Sequence, residues 1–150
     1  MPKSKDVLLE IRDLQIQGYS DEQWVDIIKG VDLTLHRGEV LGLIGESGAG
    51  KSTIGLASMA YGRGGVKITG GEVWINVRDI LKSSFKDIRA LRGGEVTYVS
   101  QSAAASFNPA KKIMEQVTEA AIEQGKFSKK DAEARARALF AKLGLPDPDN

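Results

Sequence analysis

The stretch Val40-Leu41-Gly42-Leu43-Ile44-Gly45-Glu46-Ser47-Gly48-Ala49-Gly50-Lys51-Ser52-Thr53 decides how the rest of the chain is read. Val40 to Ile44 is apolar on both faces, as a buried parallel strand would be. Gly45 to Thr53 matches G-x-x-x-x-G-K-[ST] in full, with the apolar run before it and a helix-like segment after it. Gly48 and Gly50 can take backbone angles that residues with a Cβ avoid. Successive N–H groups can then turn inward as an anion nest. A helix beginning near Lys51 adds its positive dipole end. Lys51 can reach β- and γ-phosphates, and the Ser52 hydroxyl can ligate Mg²⁺. The bland alternative is an ordinary glycine turn between strand and helix. A dinucleotide loop is the other competitor, but Thr53 stands where its third glycine is required.

Upstream, Val7, Leu9 and Ile11 alternate with polar residues and predict a strand over 7–16. Gly18 to Gln23 reads as a turn. Trp24 to Ile28 is an apolar strand, and Val31, Leu33 and Leu35 alternate again before the turn at Arg37-Gly38-Glu39. Downstream, Lys51 to about Tyr61 reads as a helix. Val66 to Ile75 reads as two short strands broken at Gly70-Gly71. Short helical pieces fill 79–91 and end at Arg92-Gly93-Gly94. Val96 to Val99 is a short buried strand leading into Ser100-Gln101. Ile113 to Gln124 is an amphipathic helix. Ser128 caps a last helix over 129–143, whose apolar stripe is Leu139, Phe140 and Leu143 and which Gly144 and Pro146 end. Strands first, then a strand–loop–helix unit, then helices predict a layered α/β architecture.

Composition removes several classes. The 150 residues carry 21 Lys and Arg against 20 Asp and Glu, a net charge of +1, so nucleic acid and polybasic membrane anchoring are not expected. With 41% apolar and 27% charged residues the chain is an ordinary globular one, large enough to bury roughly 68–70% of its extended surface. No cysteine is present, which excludes disulfides, thiolate metal sites and thiol catalysis and fits a reducing compartment. His36 is the only histidine, and its alternation with core residues turns it outward. The polar start, 1–6, is no signal peptide. No apolar run approaches the about 20 residues of a bilayer span.

The words Arg37-Gly38-Glu39-Val40-Leu41-Gly42-Leu43-Ile44 running into Gly45 to Thr53, then Gly70-Gly71-Glu72-Val73, then Val96-Thr97-Tyr98-Val99-Ser100-Gln101, resemble the N-terminal part of an ATP-binding cassette (ABC) nucleotide-binding subunit. Leu91-Arg92-Gly93-Gly94, Ser106-Phe107-Asn108-Pro109 and Leu143-Gly144-Leu145-Pro146 are similar to its dipeptide/oligopeptide importer branch. The resemblance implies a P-loop NTPase core with an N-terminal antiparallel β subdomain (about 7–40 and 66–77), a P-loop strand and helix (40–61), a Q-loop (100–109) and the start of a helical subdomain (110–145). The family's signature, Walker B strand and switch histidine have no counterpart in these residues, and His36 precedes the P-loop. On that resemblance the sequence is a piece of a longer ATPase, and by itself is expected to be inactive.

The resemblance also assigns roles. ATP would be held by Gly45, Glu46, Ser47, Gly48, Ala49, Gly50, Lys51, Ser52 and Thr53, with Tyr19 stacking on adenine. Trp24 is a rival ring, and plain packing remains open for both. Lys51 and Gln101 would be catalytic, and Ser52 and Gln101 would face Mg²⁺. For Gln101 alone, a polar residue at a strand exit is the simpler reading. Ser106 to Pro109 is either a coupling surface or a capped turn. Implied partners are transmembrane permease subunits and a second nucleotide-binding domain, with no nucleic acid. The implied place is cytoplasmic, peripheral on the inner membrane face. The function so implied is import of a peptide-like solute driven by ATP. A soluble ABC-type ATPase without a membrane partner, and a non-catalytic nucleotide-binding module, are the alternatives.

Overall fold

Alternation of apolar and polar residues from Val7 onward produces two long strands rather than three short ones. A computed structural model describes residues 6–48, 50–62, 64–102 and 106–145. Strands β1 (Val7–Ser20) and β2 (Gln23–His36) form an antiparallel hairpin closed by the pair Ser20 and Gln23. The turn is only Asp21-Glu22, both at positive φ (49° and 62°), the backbone that two-residue hairpins need. Strand β1 therefore runs through Gly18 to Ser20, where the sequence suggests a turn.

Strand β3 (Val66–Ile75) pairs antiparallel with the other side of β1, and β4 (Arg78–Asp79) adds two residues, giving the order β2-β1-β3-β4. The break expected at Gly70-Gly71 is a register shift within one strand, opposite a matching shift at Asp13 in β1. Gly71 sits at φ 93°, and a Cβ there would lie 2.5 Å from the Asp13 carbonyl oxygen and 2.6 Å from that of Arg12. Only glycine lets the two bulged strands close up.

The molecule divides after Ile88 into two units. In the first, Val7, Ile11, Leu14, Ile16, Ile28, Val73, Ile75 and Ile80 are buried, joined by Leu56 and Ala57 of helix α1 (Lys51–Ala57) and by Met59. Full burial of each large side chain is worth about 1.5–3 kcal/mol. The other sheet face is ionic. Glu10 Oε1 accepts from Arg12 Nε at 2.9 Å, and Trp74 Nε1 donates to Glu72 Oε2 at 2.9 Å. That indole bond, with Lys82 and Arg12 nearby, holds the Glu72 carboxyl below its ordinary value. Asp79, 2.9 Å from Lys82 Nζ, raises the lysine in turn.

Helix α2 (Phe85–Leu91) reaches the unit boundary and ends in a tight turn. In the second unit α3 (Ile113–Glu123) and α4 (Lys129–Lys142) pack on each other. Ser128 caps α4, its Oγ accepting from the Asp131 amide at 3.2 Å and donating to Asp131 Oδ2 at 2.6 Å. The expected stripe of Leu139, Phe140 and Leu143 is not the packed face: Leu139 and Leu143 are exposed, and Ala132, Ala136 and Thr118 are the buried residues. Small side chains let the two helices approach. Gly144 follows α4 at φ 69°, as a helix-ending glycine does; Pro146 lies outside the described residues.

Two expected strands do not form. Residues 40–44 are irregular, with Val40 and Ile44 each 97% exposed. From 96 to 99 there is one isolated bridge, Arg92 to Val96, and Val99 is exposed. A strand apolar on both faces needs sheet neighbours on both sides. None of the described residues pairs with 40–44, so the run stays unzipped.

Candidate nucleotide-binding site

The loop of residues 45–53 owes its shape to its glycines and to one lysine. Gly45, Gly48 and Gly50 all take positive φ (151°, 85° and 81°). Gly50 is the N-cap of α1. No side chain caps that helix and no acidic residue stands in its first turn, so the amide end is open to an anion. Gly50 also lies against β2: a Cβ there would fall 2.5 Å from Ile28 Cδ1. The sheet thus fixes where the helix starts. The Lys51 ammonium turns back over the loop, donating to the Gly45 carbonyl at 2.8 Å and to the Glu46 carbonyl. It holds the loop closed by contacts that a phosphate oxygen would compete for.

Ser52 and Thr53 occupy the first turn of α1, and the Ser52 residue is exposed. Ser47 and Gly48 form the turn before them; Ala49 lies outside the described residues. The Ser52 hydroxyl and the Gln101 amide oxygen are hard oxygen donors, the kind Mg²⁺ takes. Gln101 is exposed and belongs to the second unit.

Tyr19 is not in the turn but at the end of β1, directly paired with Trp24 of β2. The rings are 5.2 Å apart at 56°, a tilted contact. Both are about half exposed, and Lys67 Nζ of β3 sits 4.0 Å over the Trp24 ring. The Tyr19 amide donates to the Gly65 carbonyl at 2.7 Å. The register makes the two rings one exposed aromatic shelf rather than rivals, with Lys67 as a third member that the sequence does not signal and that the pairing of Gln17 with Lys67 across β1 and β3 brings there.

His36 is exposed, as its alternation predicts, and its ring lies 3.0 Å from Glu39 Oε2. The His36 amide donates to the same oxygen at 2.7 Å, and these two bonds lower the Glu39 carboxyl below its ordinary value. Both residues serve the turn after β2.

A glycine loop that opens into an uncapped helix, with a lysine turned back over it, is the arrangement of a P-loop protein. Residues 28–150 match the family described as ABC transporter, and the chain belongs to that family. It is 32% identical over 149 residues to the probable peptide ABC transporter ATP-binding protein y4tR of Sinorhizobium fredii, covering 99% of this chain and 44% of that protein. It is 35% identical over 145 residues to the oligopeptide transport ATP-binding protein OppD of Bacillus subtilis, covering 95% of this chain and 40% of OppD. The chain thus spans less than half the length of these relatives. Among solved structures it resembles the ATP-binding cassette MJ0796 bound to ADP and Pi. The TM-score is 0.65 at 23% identity, over 87% of this chain and 54% of that one. That likeness supports the fold: an ABC ATPase architecture in which an antiparallel sheet stands beside helices. Among the described residues no helix is long and apolar enough to cross a membrane.

Proposed function

We infer that this chain carries the ATP-binding part of a transport ATPase that drives import of a peptide-like solute. The observation that carries the reading is the loop itself: Gly50 at φ 81° opens straight into an uncapped helix while Lys51 Nζ closes over the Gly45 carbonyl at 2.8 Å. Residues 45–53 bind the phosphates, Lys51 moving from the loop carbonyls to the β- and γ-phosphate oxygens. Tyr19 offers its exposed face to the adenine. By its resemblance to the family's Q-loop glutamine, Gln101 would contact Mg²⁺ or the attacking water. Ser52 and Gln101 would hold Mg²⁺, which supplies charge neutralisation of the phosphates when bound.

The relatives' names, as peptide and oligopeptide transport ATP-binding proteins, support the transported class. Hydrolysis then belongs to the complete protein working as a pair of nucleotide-binding domains on membrane permease subunits, at the cytoplasmic face. Lys51→Ala tests the site. It removes a charge-assisted contact worth about 1.5–3 kcal/mol, so ATP affinity should fall at least about tenfold. Equal affinity by calorimetric titration, with the circular dichroism spectrum unchanged, would refute the assignment.

A further inference from the structure

Lys67 is an exposed lysine with a fixed place. It belongs to β3, and the ring under its ammonium belongs to β2, with β1 running between them. Two strand spacings are about 10 Å, so lysine stem and indole both reach across β1 to meet. Ordering a long side chain in this way costs rotamer freedom and needs a partner that offsets it. A carboxylate stands in the same cross-strand row, Asp26–Gln17–Lys67. Its Oδ1, however, accepts from Gln17 Nε2 at 2.8 Å, and the ammonium rests 4.0 Å from the centre of the Trp24 ring instead.

The same short segment also holds Tyr19. The Tyr19 amide donates to the Gly65 carbonyl at 2.7 Å, and a Cβ at Gly65, which sits at φ 77°, would lie 3.9 Å from Tyr19 Cβ. Tyr19 in turn meets Trp24 at 5.2 Å and 56°. Residues 65–67 thus grip the ring pair twice, by the backbone of Tyr19 and by the indole of Trp24. An ammonium over an indole is attracted to the negative ring face, so a base stacks on that face only by displacing it. Tyr19 is the more exposed of the two rings, 54% against 44%. We propose that Lys67 is a positioning residue of the nucleobase subsite: by pinning Trp24 it fixes the tilt of Tyr19 and presents Tyr19, rather than Trp24, to the base of ATP. This rests on the reading of Tyr19 as the ring that stacks on adenine. A lysine that only tied β3 to β2 would add stability and leave the ratio of ligand affinities unchanged. A lysine that met the phosphates would act on any polyphosphate.

The test is titration of the complete protein with ATP and with inorganic triphosphate, alongside melting temperature. Lys67→Met keeps the stem and loses the cation. It should weaken ATP about two- to fivefold, the size of an exposed cation–π contact, and leave triphosphate unchanged. Lys67→Arg keeps a cation that suits an aromatic face and should hold ATP affinity within about twofold of the parent. In a Trp24→Leu background Lys67→Met should add nothing, because the lysine acts through that ring. If Trp24→Leu does not fold, Trp24→Phe runs the same cycle with a ring that attracts the cation less, and the loss should shrink. Equal losses for ATP and triphosphate, a loss undiminished in the Trp24 background, or Lys67→Arg as weak as Lys67→Met would each overturn the proposal. So would unchanged ATP affinity in Lys67→Met beside a clear loss in Tyr19→Ala, and all four results leave the reading of Tyr19 standing. Unchanged ATP affinity in Tyr19→Ala would instead remove that reading, and this inference with it.

Discussion

Gly50 joins the phosphate loop to the sheet, and a single methyl group there tests both functions. In Gly50→Ala the new Cβ meets two separate penalties. The residue sits at φ 81°, in the left-handed region, which costs an L-residue with a side chain roughly 1–2 kcal/mol. The Cβ would also lie 2.5 Å from Ile28 Cδ1, the mobile end of a buried side chain. Ile28 can give way by leaving its preferred rotamer, at about 0.5–1.5 kcal/mol. Ile28→Val removes the obstructing methyl and alone costs about 0.5–1.5 kcal/mol. In the double mutant the steric penalty disappears and the backbone penalty stays. Urea denaturation of the four proteins, at constant m, should therefore show the double mutant more stable than additivity predicts by about 0.5–1.5 kcal/mol. ATP affinity should be lowered in Gly50→Ala and not restored by Ile28→Val, because the loop backbone is still strained. Strict additivity would refute the contact between loop and sheet. Recovery of ATP affinity in the double mutant would refute the claim that backbone angle, rather than crowding, shapes the nest.

The aromatic shelf makes a second prediction. Tyr19→Ala should weaken ATP binding about fivefold or more, the usual worth of a base stacked on a ring, and leave inorganic triphosphate binding unchanged. A larger loss in Trp24→Ala would give adenine to Trp24 instead, and no loss in either would exclude the shelf. The His36–Glu39 pair makes a pH prediction. Hydrogen bonds from His36 lower the Glu39 carboxyl below its ordinary value of 4.5, so the stability it adds is present above that value. It is lost as pH falls through the lowered one. Melting temperature followed from about pH 6 down to about pH 3 should fall less steeply in Glu39→Gln; parallel curves for the two proteins would refute the linkage.

Residues whose structure is set locally were legible in the sequence, and those whose structure is set by distant neighbours were not. The Gly45-to-Thr53 loop is local: its glycines and Lys51 bond within the same nine positions, and the helix it opens begins where the spacing says. Ser128 is likewise readable because its partner, Asp131, is three residues away. The expected turn over 18–23 contains the observed one, but its narrowing to Asp21-Glu22 is not legible because two acidic residues at positive φ carry no glycine or asparagine signal; the pairing of Tyr19 with Trp24 enforces the geometry from outside the turn.

Residues 40–44 show the opposite case. Their apolar pattern is that of a central parallel strand, but a parallel strand gains its hydrogen bonds and its burial entirely from other segments. The same sequence can therefore be a core strand beside two neighbours or an exposed run without them. Val40 and Ile44, each 97% exposed, lie directly before a loop that already has its glycine angles and its lysine contacts. The loop is thus held by α1 and by Ile28 of the antiparallel sheet, independently of strand formation over 40–44. It follows that pairing of 40–44 with a neighbouring strand adds stability to the core without having to shape the loop.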